Sequence, residues 1–239
     1  MTGILDQIPV HDAAHGFRRG RSVCTFASPH VGQRVVVRLD LHDFFPSVLM
    51  AQVQAVFRTV GYPDRVADLL AALCCHSTPD VIWHQLEAPP HGKPLHKLQA
   101  MYSRPHLPQG APTSPSLANL CAYRLDCRLA SLAQSVGARY TRYADDIAFS
   151  GGVAFHRMVK RFCLHVCTVM MEQGFSVHYR KTRIMRQAAR QQLAGIVLND
   201  CLNVRRFDYG RGKGVRSLYW VQVAINASHA SRPNRQLDN

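Results

Sequence analysis

Runs and alternations of hydrophobic residues along the chain predict several short strands. The Val and Leu residues at positions 35–40 are typical of a largely buried strand that ends in a carboxylate, Asp40. Residues 140–143 and 147–149 are rich in aromatic and β-branched side chains and flank a tight turn at 144–146, so they predict a hairpin. Three further strands are predicted at 175–179, 183–186 and 193–198.

Helices are predicted where hydrophobic residues recur every three or four positions. Residues 49–60 have this spacing, and Gly61 and Pro63 end the helix. Residues 66–76 predict a second, mostly buried helix, and a rigid loop at 107–115 leads into a helix that runs to about Gln134. A further helix with a basic opposite side is predicted by five apolar residues at helical spacing, Phe155, Val159, Phe162, Val166 and Met170.

Other segments lack a regular pattern. Residues 11–33 read as a basic loop or extended segment suited to contacting phosphates, and residues 41–47 as a turn. The proline-rich stretch 78–108 predicts a surface insertion, and its scattered histidines fit no compact set of metal ligands. After about residue 205 the pattern weakens: one helix is predicted near 214–225, and residues 226–239 are expected to be disordered.

The composition indicates a globular protein with a polyanionic partner. The 239 residues carry a formal net charge of +14, which points to nucleic acid first and to an anionic membrane surface second. Because there is neither a membrane-span-length apolar run nor a signal-peptide core, we expect a cytoplasmic protein and no membrane insertion. The eight cysteines have no secreted-scaffold spacing, which favours reduced thiols.

Three carboxylates are the candidates for chemistry. Asp40 ends the first strand, and Asp145 and Asp146 lie side by side at the hairpin turn, where they repel each other unless cations hold them. A solvated acidic turn is the alternative. In a βαββαβ order the first strand lies beside the hairpin, so Asp40 and Asp145 can meet although they are distant in sequence. Carboxylate oxygens are the ligands that Mg²⁺ prefers.

Five motifs in this order resemble those of a bacterial reverse transcriptase, closest to the retron type. They are His15-Gly-Phe-x-x-Gly-Arg-Ser22, Leu39-Asp-Leu-x-Asp-Phe-Phe-Pro-Ser47, Leu107-Pro-Gln-Gly-Ala-Pro-Thr-Ser-Pro115, Tyr143-Ala-Asp-Asp146 and Lys181-Thr182. The resemblance implies an α+β fold, with a ferredoxin-like palm sheet, partial fingers and a short thumb. The implied division is partial fingers at 1–34, palm at 35–77 and 113–200, a fingers or insertion loop at 78–112, primer grip and thumb at 201–225, and a tail at 226–239.

The resemblance also implies roles for individual residues. Asp40 and Asp145 would ligate two Mg²⁺ ions, with Mn²⁺ able to substitute. The Leu41 carbonyl and the neighbouring Asp146 are also implied at the metals, and Asp146 is counted among the catalytic residues. At the incoming nucleotide the implied residues are Asp43, Phe45, Gln109 and Lys181. Phe45 would exclude a 2′-hydroxyl by steric clash, and Lys181 would protonate the leaving pyrophosphate. Arg18, Arg21 and Gly195 are the implied primer and template contacts.

Each of these roles has a plainer alternative, and the match also has gaps. Phe45 could be a core residue, Lys181 a surface lysine and Gln109 a turn cap. The family usually carries a basic fingers segment ahead of the His15 motif, and its thumb helix is only loosely recognisable here. A partner protein that supplies fingers or thumb is one explanation of these gaps; the oligomeric state is left open.

The expected activity is RNA-directed DNA polymerisation from dNTPs, on an RNA template or non-coding RNA and with a DNA primer or product. The alternative from another class is a catalytically weak RNA-binding or scaffold protein that keeps the palm. A palm-type nucleotide cyclase is less favoured, because the Pro-Gln-Gly loop and the aromatic pair after Asp40 belong to polymerases.

Overall fold

The computed structural model describes residues 3–85 and 94–204, which form nine helices and eight strands besides short 3-10 turns. The strands are β1 (Val35–His42), β2 (Arg139–Tyr143), β3 (Asp146–Gly151), β4 (Ser176–Val177), β5 (Arg183–Arg186), β6 (Gln192–Leu193), β7 (Ile196–Val197) and β8 (Asn203–Val204). The helices are α1 (Val23–Ala27), α2 (Phe44–Ser47), α3 (Met50–Thr59), α4 (Asp64–Cys74), α5 (Asp80–Gln85), α6 (Leu95–Tyr102), α7 (Ser114–Cys121), α8 (Tyr123–Ser135) and α9 (Val153–Glu172).

Strand β1 is the centre of the main antiparallel sheet. It pairs with β3 from Val35 opposite Gly151 to Asp40 opposite Asp146, and β3 pairs in turn with β2. On its other edge β1 pairs with β4 and β5, so the strand order is β2-β3-β1-β4, with β5 beside the first half of β1. The prediction that the first strand lies beside the hairpin is therefore confirmed.

The two faces of this sheet have different coverings. Alternate β1 residues, among them Val37 and Leu39, are buried in the main core against the helices. On the opposite face Val36 is buried in a smaller core with Phe26 of α1 and Leu193 of β6. Further along that second face the β1 residues are charged, and this is where Asp40 lies.

Helix α9 follows the predicted apolar stripe. The five predicted residues are the ones that the helix buries, and the Phe162 ring meets Phe149 and Phe155 edge-on, with centroids 5.0 Å apart in each pair. Among the helices of the described ranges, none combines the length and the apolar composition needed to cross a membrane.

Several short segments are more ordered than their sequences predict. The predicted basic loop at 11–33 contains α1, because the Ser22 side chain accepts a hydrogen bond from Thr25 N and the Thr25 hydroxyl accepts one from Ser22 N. The predicted turn at 41–47 is wrong: β1 continues to His42, and α2 begins at Phe44 after Asp43 adopts a positive φ of 49°.

Other predicted boundaries also differ from the structure. The helix expected up to Gln134 is divided at Ala122 into α7 and α8. The strand expected at 193–198 is a hairpin of β6 and β7, because Ala194 and Gly195 have positive φ values of 44° and 88°. The proline-rich insertion contains α5 and α6, with residues 86–93 outside the described ranges.

Helix α4 is not the mostly buried helix that its composition predicts. It buries Ala67, Ala71 and Cys74, whereas Leu69 is 66% exposed and Leu73 84% exposed. Small residues face the core here because they allow the close contact between α3 and α4. The predicted helix near 214–225 and the predicted disordered tail at 226–239 lie outside the described residues.

A buried histidine makes folding stability depend on pH. The His30 ring nitrogens form hydrogen bonds with the hydroxyls of Ser150 at 2.6 Å and Thr141 at 2.7 Å. Burial, together with the positive charge of Arg139, lowers the pKa of His30 to about 3. The folded protein therefore holds a neutral imidazole at pH values where the unfolded chain has taken up a proton.

We expect the free energy of unfolding to be highest above pH 6.5 and to fall as the pH is lowered toward 5. Each pH unit below 6.5 costs up to about 1.4 kcal/mol for this one residue, so the loss at pH 5 is about 2 kcal/mol. Urea unfolding of His30→Gln at pH 7.5 and 5.0 should show a difference smaller by about that amount. His165→Gln, which removes an exposed histidine, should show the same difference in the free energy of unfolding between the two pH values as the parent. An equal difference in all three proteins would contradict the role given to His30.

Candidate active site

Backbone pairing brings the three candidate carboxylates together. Asp40 lies directly opposite Asp146 in the β1–β3 register, and the Leu41 amide donates a hydrogen bond of 2.9 Å to the Asp145 carbonyl. Asp40 is buried, and Asp145 and Asp146 are partly buried. The turn between β2 and β3 is therefore fastened to the strand that carries Asp40, as the sequence predicted.

Two cations balance this negative charge. Lys181 Nζ lies 3.0 Å from Asp40 Oδ1 and 3.1 Å from Oδ2. Arg38 donates to Asp146 Oδ1 through Nε at 2.8 Å, and Nη2 of the same guanidinium lies 2.7 Å away. Two of the three carboxylates are thus neutralised by a direct partner.

The pKa values of the paired aspartates reflect their enclosure. Burial raises the pKa of Asp145, and the nearby charges of Asp146 and Asp40 raise it further, against the lowering effects of a backbone hydrogen bond and of Lys181. Burial also raises the pKa of Asp146, although Arg38 acts in the opposite direction. The turn concentrates negative charge in a poorly hydrated place, where a bound cation lowers the energy of the ionised forms.

A cavity of about 500 Å³ opens in front of Asp40 and Asp145. Seven of the predicted site residues line it: Asp40, Leu41, Asp43, Phe45, Gln109, Asp145 and Lys181. The Leu41 side chain belongs to the hydrophobic core, and the Phe45 ring packs on Phe44 with centroids 5.5 Å apart. Seven residues that were predicted to bind metal or nucleotide, and that come from four separate motifs, therefore line the same cavity.

The donor set of this cavity fits a hard divalent cation. Asp40 and Asp145 line a polar space, and carboxylate oxygens are the ligands that Mg²⁺ prefers, although Lys181 covers those of Asp40 here. Within residues 3–85 and 94–204 no three His, Cys, Asp or Glu side chains are already arranged as a complete metal site. Asp146 pairs with Arg38 and is not among the residues that line the cavity, so its role at the metals stays a prediction.

Two histidines join the cavity without having been predicted. The rings of His42 and His178 are 5.5 Å apart, and His42 Nδ1 lies 2.5 Å from Asp43 Oδ2. The His178 amide donates a hydrogen bond of 2.8 Å to the Asp40 carbonyl. His42 could have been found from its place between two motif aspartates, whereas nothing in the local sequence marks His178.

The predicted primer and template residues lie apart from this cavity. Arg18 donates hydrogen bonds to the carbonyls of His11 at 3.1 Å and Ala14 at 3.2 Å, and it lines a different groove. Arg18 and Arg21 each lie 3.7 Å from an exposed carboxylate, Asp12. Gly195 occupies the turn of the β6–β7 hairpin. None of these three residues lines the cavity of Asp40 and Asp145.

The family model described as "Reverse transcriptase (RNA-dependent DNA polymerase)" matches residues 3–209 of the chain. The chain belongs to the reverse transcriptase family. The resemblance inferred from the five motifs is thereby confirmed.

Retron members of the family are among its relatives. Over 203 residues the chain is 40% identical to the retron Mx65 reverse transcriptase of Myxococcus xanthus, covering 85% of this chain and 45% of that protein. It is 38% identical over 207 residues to the retron Mx162 reverse transcriptase of the same organism, covering 83% of this chain and 41% of that protein. It is 30% identical over 199 residues to the retron Ec86 reverse transcriptase of Escherichia coli, covering 83% of this chain and 53% of that protein. The chain spans about half the length of these curated relatives.

Proposed function

We propose that the chain is an RNA-directed DNA polymerase that copies a structured RNA from a DNA primer, with dNTPs as substrates. The observation that carries the proposal is the single cavity that Asp40 and Asp145 share with Phe45, Gln109 and Lys181. Membership of the reverse transcriptase family supports it. So does the strand order β2-β3-β1-β4, which is the order of a ferredoxin-like βαββαβ sheet and suits a polymerase palm.

In the proposed reaction the primer 3′-hydroxyl attacks the α-phosphorus of a dNTP. A new P–O bond forms to the primer oxygen, whose proton passes to water. The bond between the α-phosphorus and the oxygen that bridges to the β-phosphate breaks, and pyrophosphate leaves. Asp40 and Asp145 would hold two Mg²⁺ ions, and Mn²⁺ could replace them. Such ions activate the attacking hydroxyl and stabilise the leaving oxygen. Asp146, with its charge balanced by Arg38, would support the turn.

Lys181 has two tasks in this proposal. Its ammonium group bridges both oxygens of Asp40, so it balances the charge of that carboxylate and must turn away before those oxygens can bind a cation. The Lys181 side chain is about half exposed, and its movement needs no rearrangement of the core. Once turned toward the pyrophosphate, the ammonium group can donate a proton to the leaving oxygen.

The other assignments follow the cavity and the motifs. Asp43 and Gln109 would contact the triphosphate and the base, and Leu41 would assist the metals through its carbonyl. Arg18, Arg21 and Gly195 would contact primer and template outside the cavity. We assign residues 1–34 and 78–112 to the fingers and 35–77 and 113–200 to the palm. The primer grip and thumb expected at 201–225 lie, beyond residue 204, outside the described residues. The net charge of +14 suits a protein that neutralises phosphates.

Phe45 is expected to select deoxyribonucleotides. Its ring lines the cavity and is held between Phe44 and Phe17, with centroid distances of 5.5 Å and 6.1 Å. Since a ring held in this way cannot yield to an added hydroxyl, Phe45→Ala should raise the ratio of kcat/KM for rUTP to that for dTTP, by roughly 100-fold. Incorporation of both nucleotides by the same preparation supplies the internal control. An unchanged ratio would remove Phe45 from this role.

Primer extension is the test of the proposed function. The chain is incubated with poly(rA)/oligo(dT), labelled dTTP and Mg²⁺, and then with any RNA that co-purifies with it. Incorporation on either template supports the polymerase. RNA binding without incorporation on both templates would overturn the proposal and favour an RNA-binding scaffold that keeps only the palm.

A further inference from the structure

A charged pair is completely enclosed beside the turn that carries Asp145. Arg142 and Asp126 are both fully buried, on β2 and α8. Arg142 donates to Asp126 through Nε at 2.7 Å and through Nη2 at 2.7 Å, so both carboxylate oxygens are engaged. The Tyr140 hydroxyl donates a third hydrogen bond to Asp126 Oδ1 at 2.6 Å. None of the five motifs predicts this network.

The third nitrogen of the Arg142 guanidinium forms hydrogen bonds at the turn itself. Its Nη1 donates to the Ala144 carbonyl at 3.1 Å and to Asn119 Oδ1, also at 3.1 Å. Asn119 in turn donates through Nδ2 to the Gly16 carbonyl at 2.8 Å. Ala144, directly before Asp145, has a positive φ of 55°, a conformation that a residue with a side chain adopts at a cost.

The backbone of Arg142 is fastened as well. Its amide donates to the Ala13 carbonyl at 2.7 Å, and its own carbonyl accepts from the His15 amide at 2.7 Å. On the other side of the turn, the Asp145 carbonyl accepts from the Leu41 amide at 2.9 Å. Backbone hydrogen bonds therefore hold the turn at Arg142, before Ala144, and again at Asp145, after it.

Stability alone gives no reason for such a pair. Removing two charges from water costs about as much as their attraction returns, and well-packed apolar residues in their place are often equally stable. An apolar pair could not, however, donate a hydrogen bond to the Ala144 carbonyl. The guanidinium therefore adds a hydrogen bond that an apolar side chain cannot make, and its acceptor is the carbonyl of the residue directly before Asp145.

We propose that Arg142, held in place by Asp126, is a positioning residue that keeps the Ala144–Asp145 turn in the conformation that presents Asp145 to Asp40. The part of this proposal that concerns catalytic turnover rests on the proposed polymerase function. The part that concerns metal binding by Asp40 and Asp145 does not depend on turnover.

The test replaces Arg142, Asp126 and Tyr140, the three side chains of the buried ion pair and its hydroxyl partner, by apolar residues of similar size. The triple variant Tyr140→Phe/Asp126→Leu/Arg142→Met leaves no buried charge unpaired, so it should fold cooperatively. We expect its kcat for dTTP to fall roughly 100-fold, because a displacement of about 1 Å at a reacting group costs that much. The affinity for RNA should stay within about threefold of the parent, since the surface charge does not change. The KM for dTTP should also stay within about threefold, since Phe45 and Gln109 are untouched.

Metal affinity provides a readout that does not depend on turnover. Mn²⁺ binding, followed by electron paramagnetic resonance, should be about tenfold weaker in the triple variant, as expected when residues behind the metal ligands are removed. The matched control is Arg128→Met/Glu172→Leu, which removes an exposed ion pair from α8 and α9 by the same kind of change. This control should keep the parent's kcat and Mn²⁺ affinity.

A conservative variant covers the case in which the triple variant does not fold. Arg142→Lys keeps the positive charge beside Asp126, but one ammonium group cannot reach both Asp126 and the Ala144 carbonyl as the guanidinium does. Its kcat should fall by about tenfold or more with RNA binding retained. If either folded variant has the parent's kcat and the parent's Mn²⁺ affinity, Arg142 is only structural and the proposal is wrong.

The two proposals can fail separately. If the parent incorporates no dTTP but binds Mn²⁺, and the variants bind it more weakly, the polymerase function fails and the positioning role of Arg142 stands. If the parent is active and the variants match it in both measurements, the positioning role fails and the polymerase function stands.

Discussion

Asp145→Asn is expected to abolish dNTP incorporation while leaving the protein folded and able to bind RNA. The amide keeps the shape of the side chain but loses the charge that a divalent cation requires of its ligand. Loss of about 4 kcal/mol of transition-state stabilisation corresponds to a fall of about 10³-fold in kcat, and we expect at least this much. Primer extension on poly(rA)/oligo(dT) with Mg²⁺ measures it, beside filter binding of the same template.

Because burial and the neighbouring carboxylates raise the pKa of Asp145, removing its charge should not destabilise the fold. The melting temperature of Asp145→Asn is therefore expected to equal or exceed that of the parent. Asp200→Asn is the matched control, since it makes the same chemical change at an exposed position. Incorporation by Asp145→Asn at the parent's rate would rule out the metal site at Asp40 and Asp145.

Gly16→Ala is expected to be the most damaging single-methyl substitution near the site. A Cβ at position 16 would lie 2.6 Å from the Ala144 amide nitrogen and 3.3 Å from the Tyr143 carbonyl carbon, and both atoms belong to the backbone. The turn would have to move, because no flexible side chain can give way. We expect a loss of about 1–3 kcal/mol in the free energy of unfolding, and a fall of roughly 10–100-fold in kcat.

Urea unfolding and primer extension of the same preparation measure these two effects. Gly3→Ala is the control, because an added Cβ there meets nothing within 4 Å and the φ of Gly3 lies outside the left-handed region. The control should unfold and react like the parent. A Gly16→Ala protein with the parent's stability and kcat would show that the turn tolerates displacement, and it would also weaken the argument for Arg142.

Local patterns were sufficient for α9, β1 and the β2–β3 hairpin. The stripe from Phe155 to Met170 predicted the buried face of α9 residue by residue, because an amphipathic helix that long can bury only one side. The apolar run before Asp40 predicted β1, and the aromatic and β-branched residues on either side of the turn predicted the hairpin. The shorter elements α1, α2 and the β6–β7 hairpin were missed, because they depend on a single cap or on one or two positive φ values.

The sequence by itself indicated the candidates for the chemistry: Asp40, Asp145 and five more of the residues that line the cavity lie in the motifs, and the order of the strands brings Asp40 beside the hairpin. Only the tertiary structure decided how they are held. That Lys181 bridges Asp40, that Arg38 neutralises Asp146 and that Arg142 is buried against Asp126 depend on contacts between residues 16 to 141 positions apart. A local pattern cannot specify such contacts, because the energy of a charge is set by what surrounds it after folding.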